Sequence, residues 1–214
     1  MAVQRRWLIG ILALLLGIAV AQAAEQTKLT TPAESLGGLR PGTLTVDQLN
    51  TKLGKPDVAG AGGLLQLYGG GTDSKLYGWF MTKNPSYTVP DIAVETAKDS
   101  NRVDLLMVIG YDGIKTEKGI TCFQSEDDLV KAYGKPDFAF SVPMQGYVLT
   151  EVYYPKLGIS FDLAPLDATG GRSIVAMYIT YPEYLARAIL LRQKYIKDGV
   201  GEDVTYRYSG GKET

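Results

Sequence analysis

The strongest constraint on this fold is a short stretch of sequence that occurs twice. Residues 45–57 match residues 125–137 without a gap, at an offset of 80 residues. Six positions are identical: Asp47, Leu49, Gly54, Lys55, Pro56 and Asp57 recur as Asp127, Leu129, Gly134, Lys135, Pro136 and Asp137. A self-match at a fixed offset predicts that the chain repeats one structural unit.

Each copy of the matched stretch predicts a short helix that ends at the glycine. Thr45 and Ser125 are N-cap residue types, and Gln48 completes a capping box, for which the second copy has Asp128. The glycine suits a left-handed position after the helix, and the proline two residues later prevents continuation. Helix termination therefore accounts for the shared Gly-Lys-Pro-Asp, and a lysine–aspartate functional site is the alternative.

The residues after each helix predict antiparallel strands. Alternating apolar and polar residues, with glycine, proline or asparagine turns between them, are typical of hairpins. We predict strands at 64–68, 75–82, 92–96 and 103–109 in the first copy, with an insertion at 83–98, and at 146–154, 159–163 and 173–181 in the second. The fold class is α+β, with two tandem helix-plus-antiparallel-sheet repeats at residues 38–112 and 113–181 and a C-terminal amphipathic helix.

That helix is predicted over residues 182–198. Pro182 suits the first helical position, and seven apolar residues share one arc of the helix, although Arg192 intrudes on it. The helix either covers its own sheet or lies on a membrane surface. Residues 199–214 are expected to form a tail, in which Val204, Tyr206 and Tyr208 alternate and could add an edge strand.

The first 23 residues have the pattern of a signal peptide. Arg5 and Arg6 precede an apolar stretch of 14 residues, and Ala21-Gln22-Ala23 is a small-x-small cleavage signal. Fourteen apolar residues are fewer than the roughly 20 that span a bilayer. We therefore expect cleavage after Ala23, a loose leader at residues 24–37, and a periplasmic or extracellular mature chain that does not span a membrane.

Composition excludes several classes of chemistry. The chain has no histidine and one cysteine, Cys122, so histidine-based catalytic pairs, histidine metal ligands and an internal disulfide are impossible. We expect no metal and no cofactor. The formal net charge of -1 gives no basic excess for binding nucleic acid. We expect Cys122, which lies in an apolar stretch, to be buried.

The paired helix-Gly-x-Pro corners, each followed by strands, resemble a known group of exported proteins. The pattern over about residues 38–181 is similar to the β-lactamase-inhibitor-protein-like fold, shared by outer-membrane assembly lipoproteins of the SmpA/OmlA (BamE) type. The resemblance implies a tandem helix-plus-sheet architecture. It also implies a role in binding other proteins across an open sheet.

Carboxylates are the main candidates for catalysis in a chain without histidine. Asp162, Glu151 and Asp104 lie on predicted strands, where a facing pair could hydrolyse a glycosidic bond. Their alternation with apolar neighbours predicts that they face solvent instead. A carboxylate-dependent hydrolase is therefore a minor alternative, and no catalytic residue is assigned.

Tyrosine is in excess, with 14 residues against five phenylalanines. Its large ring with a polar tip suits binding surfaces. We predict binding residues at Tyr77 and Trp79 on one strand face, and at Tyr147 and Tyr153 on a face of the second hairpin. The predicted function is an exported, non-catalytic module that binds another extracytoplasmic protein in envelope assembly or as an inhibitor. The alternative is a small ligand or glycan on the same aromatic face.

Overall fold

Two short helices begin at the residues where the repeated sequence predicts them. In the computed structural model, which describes residues 29–82, 88–144, 146–166 and 171–209, α1 spans Val46–Leu53 and α2 spans Glu126–Tyr133. Thr45 and Ser125 are the N-caps, and both capping boxes form. The predicted signal peptide, residues 83–87 of the insertion and the last five residues lie outside the described residues.

The glycines that end these helices are in a conformation that only glycine adopts readily. Gly54 has φ 86° and ψ -178°, and Gly134 has φ 75° and ψ -166°. The positive φ agrees with the expected left-handed helical conformation, but ψ does not. The backbone is already extended at these glycines as the chain enters the next strand. A β-carbon would meet nothing within 4 Å at either glycine, so the preference for glycine comes from the backbone alone.

Nine strands of the described residues form one antiparallel sheet. The strands are β1 Val58–Ala61, β2 Ser74–Trp79, β3 Ile92–Ala97, β4 Leu105–Ile109, β5 Phe138–Met144, β6 Tyr147–Tyr154, β7 Ile159–Pro165, β8 Arg172–Thr180 and β9 Glu202–Asp203. Their order across the sheet is β1-β2-β3-β4-β8-β7-β6-β5-β9. The fold is thus mixed α+β and consists mostly of sheet.

Two segments differ from the predicted strands. Residues 64–68 were expected to be a strand, but Leu65–Tyr68 form a 3₁₀ helix. The buried Glu95 carboxylate accepts hydrogen bonds from the N–H groups of Gly63, Leu64 and Leu65, which holds this helical turn at its start. The alternating tail residues also do not form a long edge strand, since β9 has two residues and a 3₁₀ helix, Thr205–Ser209, follows it.

Helices cover both faces of the sheet. The face that carries Ile92, Val108 and Phe161 packs against Leu49 of α1 and Leu129 of α2, and we call it the α1/α2 face. The opposite face carries Met107 and Tyr178, and α3, Pro182–Lys197, packs on it through Leu185 and Ala188. We call it the α3 face. Of the two alternatives for this helix, packing on its own sheet is the one that the structure shows.

The start of the described chain is also packed. Glu34, Ser35 and Leu36 are buried, and Thr30 donates hydrogen bonds to the Glu183 carboxylate at the start of α3. The expectation of a loose leader is therefore wrong for these residues.

Cys122 is buried, as expected. Among the described residues, none of the helices has the length and apolar character needed to cross a membrane.

Candidate functional site

The first predicted aromatic pair lies on the α1/α2 face and is only partly accessible. Trp79 is 2% exposed, and its indole Nε1–H donates to the Gly54 carbonyl at 2.8 Å. Tyr77 is half-buried against the same core. Trp79 therefore joins the end of β2 to the end of α1, and of this pair Tyr77 alone presents surface to a partner.

The second aromatic pair lies on the opposite, α3 face. Tyr153 is 1% exposed, and its hydroxyl donates to Glu151 Oε2 at 2.6 Å. Tyr147 is half-buried in a small cluster with Leu149 and Val175 at the end of the sheet. The two predicted pairs thus do not combine into one aromatic surface.

The three candidate carboxylates are buried, so the prediction that they face solvent is wrong. Asp104 lies apart from the others and accepts a hydrogen bond from the Tyr181 hydroxyl at 3.0 Å. Glu151 on β6 and Asp162 on β7 are directly opposite each other in the register. A strand with apolar residues on both of its faces is usually buried on both faces. The sequence of β6 has apolar residues on both faces.

Arg192 of α3 forms an ion pair with Glu151, one member of this carboxylate pair. Its Nε and Nη2 donate to the two Glu151 oxygens at 2.7 and 3.0 Å, and its Nη1 donates to the Leu67 carbonyl at 3.3 Å. The Tyr178 hydroxyl donates to Asp162 Oδ2 at 2.7 Å. Burial, and then the charge of Glu151, raise the pKa of Asp162 to about 8. We call Glu151, Asp162, Arg192, Tyr153 and Tyr178 the buried polar cluster.

The buried polar cluster attaches α3 to the sheet. Both oxygens of Glu151 accept from Arg192, a bidentate pair whose geometry holds the helix at one register over β6. In the sequence, Arg192 is recognisable only as an intrusion on the apolar arc of the helix. A cation on the buried side of an amphipathic helix needs a buried anion, which is the signal that could have identified Glu151 as its partner.

One exposed aromatic residue has a strained backbone. Phe123 has φ 72°, the only positive φ of a non-glycine residue among those described, and its side chain is 44% exposed. It lies in the loop between buried Cys122 and Ser125, the N-cap of α2, and its N–H donates to the Ile174 carbonyl at 2.7 Å. Phe123 is not among the predicted binding residues, because a left-handed conformation of a phenylalanine has no sequence signature.

The outer edges of the sheet differ from each other. At one edge β9 pairs with β5, with Asp203 opposite Phe140 and Glu202 opposite Ser141. At the other edge β1 pairs with β2 on its inner side and is the last strand in the order. Ala59, Gly60 and Ala61 of β1 are exposed.

The described part of the chain contains no group of three or more acidic or cysteine side chains that could hold a metal ion. Comparison of the chain with protein-family models, curated proteins and solved structures gives no match.

Proposed function

We propose that this chain is an exported, non-catalytic module that binds another extracytoplasmic protein, in envelope assembly or as an inhibitor. The observation that carries the proposal is Phe123, an exposed aromatic side chain on a strained backbone. A left-handed conformation costs a non-glycine residue about 1 kcal/mol or more. Strain at an exposed aromatic residue fits a binding contact, because aromatic anchors supply much of the energy of protein interfaces.

The alternatives to protein binding receive less support. Trp79 and Tyr153 are buried, which leaves the predicted glycan-binding surface with half of its aromatic residues. A hydrolase would need the carboxylates of Glu151 and Asp162 to be open to substrate. Instead, these carboxylates accept hydrogen bonds from Arg192 and from two tyrosine hydroxyls. These contacts attach a helix, which is a structural role for the carboxylates.

We also propose that residues 38–112 and 113–181 are two copies of one unit. The strand order β1-β2-β3-β4-β8-β7-β6-β5 has the first-copy strands and the second-copy strands in mirrored order. At the junction Leu106 pairs with Ile179 and Val108 pairs with Met177, on either side of the Met107–Tyr178 pair. The mirrored strand order is what a two-fold relation between the copies would give.

Photo-crosslinking from position 123 tests the binding proposal. A photoreactive phenylalanine analogue at 123 should give a defined adduct in the native envelope, and the same analogue at exposed Asp99 should not. Phe123→Gly should abolish binding of the identified partner and raise the free energy of unfolding by up to about 1 kcal/mol, because glycine relieves the strain. Phe123→Ala retains the positive φ, so it should weaken binding without this gain.

Two results would contradict the proposal. Adducts that are equal at positions 123 and 99 would show random encounter, and unchanged binding by Phe123→Gly would remove Phe123 from the interface. Export is tested separately by N-terminal mass analysis, which should find a chain starting within about two residues of Ala24. Recovery of intact Met1 in a membrane fraction would contradict export.

A further inference from the structure

The β5 edge shows how an extended segment binds to this sheet. The N–H of Val204 donates to the Ala139 carbonyl at 3.0 Å, and the Ala139 N–H donates to Thr205 Oγ1 at 2.8 Å. The tail thereby satisfies both outward-facing backbone groups of Ala139. Val204 is completely buried in the core of the α1/α2 face.

The β1 edge has the same backbone arrangement without such a segment among the described residues. Gly62 N–H donates to the Ser74 carbonyl at 2.8 Å, so the alternation of an antiparallel ladder directs Gly60 toward β2. The N–H and C=O groups of Ala59 and Ala61 then point outward. Ala59 corresponds to Ala139 at the offset of 80 residues, and their partners across the strand pair are Tyr77 and Val152.

The side chains beside β1 are more exposed than their counterparts beside β5. Ala59 is exposed, and Leu53 and Tyr77 are half-buried. Their counterparts are all buried: Ala139 and Val152 are 0% exposed and Tyr133 is 9% exposed. The difference leaves an apolar surface beside β1 whose equivalent beside β5 adjoins the core that contains Val204.

The charges around β1 favour an acidic segment. Lys52, Lys55 and Lys75 are exposed there, and Asp57, also exposed, accepts a hydrogen bond from the Phe80 N–H. The counterpart of Lys55 is Lys135, which donates to Ser209 Oγ of the tail at 2.5 Å. The residues of the tail that pair with β5 are themselves acidic, Glu202 and Asp203.

We propose that the edge of β1 that no described segment covers binds an extended segment of a partner polypeptide by strand addition. The segment carries acidic residues followed by an aliphatic residue, as Glu202, Asp203 and Val204 do on β5. Its backbone bonds to Ala59 and Ala61, its aliphatic side chain covers Leu53 and Tyr77, and its acidic residues approach the lysines. This inference deepens the proposed function, on which it rests, by naming a second contact surface and the chemistry of the partner.

The test uses the full chain and a synthetic peptide with the sequence of residues 200–209, blocked at both ends. Amide hydrogen exchange, followed by NMR, should slow at least about tenfold for Ala59 and Ala61 in excess peptide, while Gly60, already bonded to β2, should not change. A peptide with the change Val204→Lys is the matched control and should give no protection. Ala59→Pro in the protein removes one outward N–H and should weaken peptide binding at least about fivefold.

Ala61→Glu provides a second variant in case Ala59→Pro does not fold. It keeps the backbone groups and places a negative charge on the edge, so it should also weaken binding of the acidic peptide. Peptide binding that changes only the Ala139 amide would show replacement of the tail at β5 and would overturn the inference. Unchanged exchange at Ala59 and Ala61 up to millimolar peptide, or protection by dimerisation of the chain alone, would also overturn it.

The two proposals can fail separately. If crosslinking from position 123 succeeds and the β1 amides stay unprotected, the strand-addition inference fails and the binding function stands. If peptide binds at β1 and position 123 gives no specific adduct, the role of Phe123 fails instead.

Discussion

Asp162 is a buried carboxyl whose protonation affects the stability of this fold. It is buried on β7, directly opposite Glu151, and Arg192 is the cation of the cluster that both carboxylates belong to. Burial and the neighbouring charge of Glu151 raise the pKa of Asp162 to about 8. The folded protein therefore binds a proton at Asp162 more tightly than the unfolded chain, where the pKa of an aspartate is about 3.9.

We predict that this residue makes stability fall as pH rises from about 4 to about 8. A raised carboxyl pKa in the folded state contributes stability that is complete below the unfolded pKa and is lost as pH approaches the folded pKa. The slope from this group is at most about 1.4 kcal/mol per pH unit. Asp162→Asn mimics the neutral acid, so urea unfolding should find it as stable as the original chain near pH 4 and more stable near pH 8.

The control for this prediction is Asp99→Asn, because Asp99 is exposed and its substitution should not change the pH dependence. Stability curves of Asp162→Asn and the original chain that stay parallel from pH 4 to 8 would contradict the raised pKa.

Residue patterns predicted the local environment of some side chains and missed others for a physical reason. Thr45 and Ser125 act within three residues of themselves, so their capping boxes could be predicted. The burial of Glu151 and Asp162 depends on α3, which begins 20 residues after Asp162 and 31 after Glu151. Alternation along a strand cannot reveal a cover that a distant element supplies.

At the scale of elements, α3 combines an apolar contact with an ionic one. Leu185 and Ala188 lie on the sheet, and one turn further Arg192 reaches Glu151. A buried ion pair holds a helix in one register, but its net contribution to stability is small because both charges lose their hydration. Removing one partner is costly, because the other charge remains buried.

We predict that Arg192→Leu lowers the free energy of unfolding by about 3 to 5 kcal/mol. The triple variant Arg192→Leu, Glu151→Leu and Tyr153→Phe removes the buried charge pair and the hydroxyl bonded to it, so it should recover most of that loss. Urea titrations near pH 7 measure both. A triple variant as unstable as Arg192→Leu would show that the packing of the arginine side chain, rather than its charge, stabilises α3.

The bounds of α3 were predictable to within one residue, because Pro182 and the apolar periodicity act locally. The strand predicted at residues 64–68 failed because Glu95, about 30 residues away, accepts hydrogen bonds from the N–H groups of Gly63, Leu64 and Leu65 where that segment begins. Its carboxylate provides the hydrogen bonds that a neighbouring strand would have provided.

At the scale of the whole molecule, the halves of the chain share their cores. All five residues of β4 are buried, and each pairs with a residue of β8. The core of the α1/α2 face contains residues of both halves, including Trp79 and Phe161. This arrangement predicts that residues 38–112 and 113–181 unfold together.

We predict one cooperative transition in urea. In a Trp7→Phe variant Trp79 is the only tryptophan, so its fluorescence reports on the first half, while far-UV circular dichroism reports on the whole sheet. The two midpoints should coincide. Separate transitions would show that each half folds by itself and would contradict the shared core.

The pairing of β4 with β8 could not be predicted from the sequence. Hairpins such as β6–β7 form across a short turn and carry local signals, whereas no turn connects β4 to β8, which lie far apart in the sequence. The candidate sites could not be predicted for a similar reason. The exposure of Phe123 and of Ala59 depends on which surfaces are left uncovered by elements that are distant in the sequence.

The pairing of β4 with β8 also implies a delay during synthesis of the chain, because β4 is made well before β8. About 70 residues separate Ile109 at the end of β4 from Ala176, its partner in β8, and ribosomes add roughly 5 to 20 residues per second. For several seconds the nascent chain carries an entirely apolar strand whose final neighbour does not yet exist. A chaperone that holds the chain open during this interval should raise the yield of folded protein, and slowing translation between β4 and β8 should lower it.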